Sequence, residues 1–254
     1  MCELFGLSAS QPVPADATPL AAFRERGGRA ADNPDGWGLA WRVPGEPAEA
    51  AFLIAKEPEP GADSGRFARL AATLSGDLLI GHVRKARLPP INTLDNTHPF
   101  QHACCGRQWI FAHNGLLPDM AALARLNQAQ HCRPEGATDS EAAFCHLLDR
   151  LRLRVVDGWL DELARVSEAI ALLGKFNFLL SDGEHLIAYG HDRLHHLEQS
   201  LSTYTQALVA TEPLTEDPGW KAFQPGELRI YRAGVPVAWV TTHPPAARTE
   251  LQEP

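Results

Sequence analysis

The segment Phe176-Asn177-Phe178-Leu179-Leu180-Ser181-Asp182-Gly183-Glu184-His185-Leu186-Ile187-Ala188-Tyr189 joins two apolar runs through a short polar turn containing a glycine. Strands linked so tightly are antiparallel, because a parallel pair needs a crossover of a dozen or more residues. Similar runs occur at Glu3–Ala9, Gly36–Val43, Ala50–Lys56, Leu78–Arg84, Trp109–His113, Ala207–Thr211, Glu227–Tyr231 and Val235–Val240. With Phe176–Ser181 and His185–Tyr189 they make about ten expected strands. Apolar residues at three- and four-residue spacing predict helices over Thr18–Arg26, Gly65–Leu74, Asp119–Asn127, Ser140–Leu151 and Leu160–Leu173. The helices fall between groups of strands instead of alternating with them one for one, which excludes a doubly wound parallel sheet. The expected fold is α+β: two mainly antiparallel sheets, each covered by helices so that no apolar face stays wet.

A chain of 254 residues, 44% of them hydrophobic, can bury a full core as one large or two small domains. Lys and Arg number 23 against 31 Asp and Glu, giving a net charge of −8 with no basic block, so nucleic acid and anionic membrane are not expected partners. The N-terminus Met1-Cys2-Glu3-Leu4-Phe5-Gly6 lacks a basic segment followed by a long apolar run, and a cytoplasmic location is expected. Five cysteines (Cys2, Cys104, Cys105, Cys132 and Cys145) form no regular framework, so free thiols are expected and disulfides are not. Pro44–Ala50 and Glu57–Gly65 read as surface loops.

Cysteine is small enough for the initiator Met1 to be removed, which leaves Cys2 with a thiol and a free α-amine. The reference pKa of an α-amine is about 7.7–8.0, against about 10.4 for lysine, so it can take a proton near neutrality. Nucleophile and base then reside in one residue. A small residue opening a buried strand would show the same letters. Arg84 ends the run Gly81-His82-Val83-Arg84, where its planar fork suits a carboxylate, although an ordinary strand-end cation would also sit there. Asn114-Gly115 follows another apolar run. This dipeptide often turns a hairpin, yet Leu116-Leu117-Pro118-Asp119 and a helix follow in place of a return strand. A turn here would present the Asn114 amide and the Gly115 N–H to an oxyanion. Thr138-Asp139-Ser140-Glu141 is a capping-box sequence that accounts for Thr138 and Glu141 but not for Asp139. A carboxylate at that helix start suits a substrate ammonium. Cys2, Arg84, Asn114, Gly115 and Asp139 together would accommodate an amino acid bearing a side-chain amide, of which glutamine is the obvious case.

These segments, together with Asp35-Gly36-Trp37-Gly38, Asn96-Thr97-His98-Pro99-Phe100 and Phe176–Gly183, resemble the class II glutamine amidotransferases, and most closely their short branch without a synthetase domain. The resemblance implies a four-layer αββα N-terminal-nucleophile hydrolase fold in one domain over 2–254. By it, Cys2 is the nucleophile, Asn114 and Gly115 form the oxyanion hole, Arg84 holds the glutamine carboxylate and Asp139 its ammonium. Synthetase-linked members follow the Arg with Trp, Ala, Thr and His, whereas this chain continues Lys85, Ala86, Arg87, Leu88. A second cation at Arg87 suits a bulkier or more anionic substrate, so a γ-glutamyl peptide hydrolase is the alternative. A silent glutamine-binding or scaffold subunit is the rival from another class. A separate ammonia-accepting synthetase is an expected partner of the glutaminase reading.

His98 is expected to line the site. His98, His102, Cys104 and Cys105 have metal-compatible side chains, but no second pair at ligand spacing completes them, so no metal is expected. His191, His195 and His196 read as surface residues. Gly27-Gly28 lacks the strand-to-helix setting of a phosphate loop, and no cofactor is expected.

Overall fold

The first strand, β1 (Glu3–Pro14), buries both of its faces: Leu4 points into one apolar layer, while Phe5 and Leu7 point into another. That two-sided burial is why the chain opens on a continuous apolar run instead of an alternating one. The computed structural model describes residues 1–43, 52–86, 92–126, 131–154 and 159–243. After β1 come α1 (Leu20–Glu25), β2 (Trp37–Arg42), β3 (Phe52–Glu57), α2 (Gly65–Thr73), β4 (Ser75–Val83), β5 (Phe100–Cys104), β6 (Arg107–Leu116) and α3 (Met120–Leu126). There follow α4 (Asp139–Leu151), α5 (Trp159–Ala171), β7 (Lys175–Ser181), β8 (His185–Gly190), β9 (His195–Ser200), β10 (Thr205–Ala210), β11 (Lys221–Ala222), β12 (Glu227–Arg232) and β13 (Val235–Thr241).

The strands form two antiparallel sheets, one ordered β11-β9-β10-β1-β4-β2-β3 and the other β13-β12-β8-β7-β6-β5. Leu4, Leu78, Ile80, Ile110, Ala112, Leu179, Leu186 and Val209 fill the space between the sheets. Phe23 of α1 and Phe67 of α2 pack on the outer face of the first sheet with Phe5, Trp37 and Leu79. Leu123, Phe144, Leu147, Leu163 and Ile170 from α3, α4 and α5 cover the second with Phe111, Phe176 and Phe178. The result is the expected α+β sandwich of four layers, αββα. Among the described residues, no helix is long and apolar enough to cross a membrane.

Several sequence expectations are corrected. β6 runs unbroken through Asn114-Gly115 and pairs with β7 in the register Asn114↔Asn177, so there is no turn at that dipeptide. The tight turn lies instead at Cys105-Gly106, both at positive φ, between β5 and β6. β5, β9 and β11 were not anticipated, since their residues alternate polar and apolar too weakly to stand out. His191 and His196 are buried: the His191 N–H donates to the buried Asn177 side chain, and His196 lies on β9 under β11 and Phe223. Glu57–Gly65 is not wholly surface: Ala62 and Ser64 are buried, Ser64 capping α2. Cys132 and Cys145 form a disulfide, which the odd cysteine count had argued against; it joins the loop before α4 to α4 itself. Pro44–Ala50 lies outside the described residues.

Candidate active site

β1 and β4 are neighbours in register Glu3↔Val83, which places the residue before β1 beside the residues that follow β4. The Cys2 Sγ lies 3.4 Å from the Lys85 carbonyl oxygen and accepts from the Lys85 backbone N–H at 3.2 Å. The turn at 84–86 is held by the Asp35-Gly36 segment. The Arg84 N–H donates to Gly36 O at 2.8 Å, Asp35 N–H to Arg84 O at 3.0 Å, and Ala86 N–H to the Asp35 carboxylate at 2.8 Å. This is the structural work of the Asp35-Gly36-Trp37-Gly38 motif. Gly38 continues it, since a Cβ there would lie 2.0 Å from the His98 carbonyl oxygen.

A cavity of about 210 Å³ opens beside Cys2, lined also by Arg84, His98, Gly115 and Asp139. Burial pushes the Cys2 thiol up from its ordinary value, against the smaller opposing pull of the Lys85 N–H, the terminal ammonium and Arg84. A thiol so placed needs a base to become a nucleophile. The Arg84 guanidinium donates to the Asn92 side-chain oxygen at 2.8 Å and meets no carboxylate among the described residues. The Asp139 carboxylate accepts from the Leu117 N–H at 2.7 Å and the Ser140 N–H at 2.9 Å, which fixes it at the start of α4. Among the described residues, a cation without an anion and an anion without a cation thus share one cavity, the complement of a zwitterion.

Asn114, next to the cavity-lining Gly115 on β6, is itself not among the cavity-lining residues. It is fully buried, with its Nδ2 donating to Thr211 Oγ1 at 3.2 Å and its Oδ1 unpartnered among the described residues. Thr211 also accepts from the Leu4 N–H at 2.9 Å, tying Asn114 to the strand that follows Cys2. Thr211 was missed in the sequence, where it merely ends an apolar run. Asn177 supports the same point from β7, donating to the Asn114 carbonyl at 3.1 Å.

His98 is 4% exposed, lines the cavity, and stacks on His82 at 4.1 Å between ring centroids. Neither of its ring nitrogens has a partner among the described residues. Burial holds its pKa well below the ordinary value, so the ring is neutral. His113, also in the wall, is fixed by Ser140 Oγ at 2.8 Å and the Lys175 carbonyl at 3.0 Å. Thr138 caps α4 as expected, accepting from the Glu141 N–H at 3.1 Å. Glu141 does not return the bond: its carboxylate takes the N–H groups of Glu135 and Gly136 and the His102 ring. Arg87 lies outside the described residues.

The profile of the family described as "Glutamine amidotransferases class-II" matches residues 1–202 and 198–254. The Escherichia coli (strain K12) protein YafJ, named as a glutamine amidotransferase, is 31% identical over 92% of this chain and 98% of its own. A crystal structure from Pseudomonas aeruginosa PA01, described as a predicted glutamine amidotransferase, superposes with a TM-score of 0.68 at 28% identity, over 93% of this chain and 100% of that one. The glutamine phosphoribosylpyrophosphate amidotransferase of B. subtilis shares the fold at a TM-score of 0.65 and 18% identity, over 91% of this chain and 47% of its own. The chain belongs to the class II glutamine amidotransferases.

Proposed function

We propose that residues 2–254 act as one amidohydrolase domain in which Cys2, freed of Met1, cleaves a γ-glutamyl amide. The observation that carries this reading is the convergence of Cys2, Arg84, Gly115 and Asp139 on one cavity. Arg84 takes the substrate α-carboxylate and Asp139 its α-ammonium, which sets the γ-carbonyl before the sulfur. The free α-amine of Cys2 removes the thiol proton, so the burial that raises the thiol is offset by an adjacent base. Sulfur attack gives a tetrahedral oxyanion received by the Gly115 N–H and the second N–H of Asn114 Nδ2, whose first is held by Thr211. Collapse expels the amine, protonated by the Cys2 ammonium. Water, activated by the same amine, then hydrolyses the thioester and releases glutamate. His98 offers a neutral ring nitrogen to the substrate, and Arg87 remains the candidate cation for a second substrate carboxylate.

The substrate is glutamine, its ammonia passing to a separate synthetase, or a γ-glutamyl compound whose amine needs no acceptor. The test is intact-protein mass before and after a glutamine-like diazo ketone, alongside turnover of glutamine, γ-glutamyl peptides and α-glutamyl peptides. The expected result is loss of Met1, one adduct on Cys2 that is absent in Cys2→Ala, and no turnover of α-glutamyl peptides. Full activity in protein that retains Met1 would falsify the role given to the α-amine.

A further inference from the structure

A second cluster of chemistry-bearing side chains lies where β5 meets α4 and the loop before it. His102, Cys132 and Cys145 each bring a ligand-type atom within 4.8 Å of the other two. His102 Nε2 meets the Glu141 carboxylate at 3.0 Å, which leaves Nδ1 for another partner. The loop carrying Cys132 is pinned by two buried carboxylates besides its sulfur. Asp149 accepts from the His131 and Cys132 N–H groups at 3.0–3.2 Å, and Glu141 from those of Glu135 and Gly136 at 3.0 and 2.7 Å. Both acids are 2% exposed. The placement of the two sulfurs therefore rests on backbone hydrogen bonds as well as on the bond between them.

We propose that, once the Cys132–Cys145 bond is reduced, His102, Cys132 and Cys145 hold a zinc-class divalent cation. One imidazole and two thiolates are a soft set that suits tetrahedral Zn²⁺, with the fourth position filled by water. Glu141 behind His102 supplies the carboxylate that usually orients a metal-bound imidazole. Two thiolates beside Glu141 and Asp149 would concentrate negative charge in a buried place, and a doubly charged cation offsets it. Reduction by a small thiol moves two electrons and two protons to the pair, giving two Cys thiols and the disulfide of the reductant; Zn²⁺ then displaces both protons. Cys104, half-buried, and the exposed Cys105, in sulfur contact at the β5–β6 turn, lie outside this set.

The experiment uses the full chain, reduced with an excess of thiol, stripped by a chelator, and titrated with Co²⁺ and then Zn²⁺. One equivalent of Co²⁺ should give thiolate charge-transfer and tetrahedral ligand-field bands, which Zn²⁺ bleaches. Oxidised protein should give none. His102→Ala should weaken binding at least about tenfold, Cys132→Ser should abolish the bands, and the double variant Cys104→Ser, Cys105→Ser should keep them. Zn²⁺ should also raise the melting temperature of reduced wild type and not of oxidised, a readout that needs no variant to fold. Absence of bands in the reduced chain overturns the proposal, as does their survival in Cys132→Ser with loss in the Cys104/Cys105 double variant.

Discussion

At the scale of single residues, the division of labour around the cavity has kinetic consequences. In the proposed mechanism Arg84 and Asp139 face groups that carry full charge in both ground state and transition state, so their loss removes uniform binding. Arg84→Ala and Asp139→Asn should therefore mainly raise KM. The oxyanion exists only near the transition state, so Asn114→Ala should mainly lower kcat, by about 10²–10³. Because the Asn114 amide also holds Thr211 Oγ1, Thr211→Val should move kcat in the same direction while leaving KM near its original value. Steady-state kinetics on all four variants separates the two signatures. A KM effect alone in Asn114→Ala would place that amide in binding, not in catalysis. These candidates were singled out from residue type and order, but Thr211 was not, since nothing local in a sequence shows which strand end will lie beside Leu4 and Asn114.

At the scale of elements, β6 shows both how far the sequence reads and where it stops. The apolar run marked the strand, and the absence of a return strand after Gly115 argued against a hairpin. The continuation to Leu116 was hidden because Asn-Gly, which favours tight turns when isolated, is here held extended by pairing with β7. The reason for glycine at 115 also differs from the one the motif suggests. A Cβ there would lie 1.9 Å from the Lys175 carbonyl oxygen and 2.5 Å from His113 Nε2, so the close approach that the structure shows is between strands. Gly115→Ala should consequently push β6 from β7 and cost about 2 kcal/mol or more in folding stability, beyond any loss of activity. The comparison is Gly106→Ala, where nothing lies within 4 Å and only the positive φ is strained, at about 1 kcal/mol. Urea unfolding of both variants tests the contrast; equal small losses would mean that the strands part easily at Gly115. The polar strands β5 and β9 were illegible for a different reason: β5 ends its sheet beside β6, which leaves Gln101 and Ala103 exposed, and β9 owes its burial to β10, β11 and Phe223.

At the scale of the whole molecule, the four layers enclose histidines in almost every part of the fold. His82 on β4, His98 before β5, His113 on β6, His146 on α4, His191 after β8 and His196 on β9 are all buried, and burial lowers the pKa of each. His82 is brought down to about 3 and His146 to about 4. In the unfolded chain the same rings titrate near 6.5. Between these values the unfolded state binds protons that the folded state refuses, so stability is complete above about pH 6.5 and falls as the pH drops toward 4. Each such ring contributes a slope of up to about 1.4 kcal/mol per pH unit. The slopes of several such rings add, and an ordinary domain has about 5–15 kcal/mol of stability in all. Asp182, lowered to about 2, adds its loss only below pH 4. Urea midpoints measured from pH 8 to pH 4.5 at fixed ionic strength should therefore be flat at the alkaline end and fall steeply below pH 6.5. His146→Gln should reduce that slope by close to one proton, because it replaces a ring that gains a proton on unfolding by a neutral amide. A midpoint that holds level from pH 7 to pH 5 would mean that the buried rings accept protons in place, and the neutrality assigned to His98 beside Cys2 would fall with it.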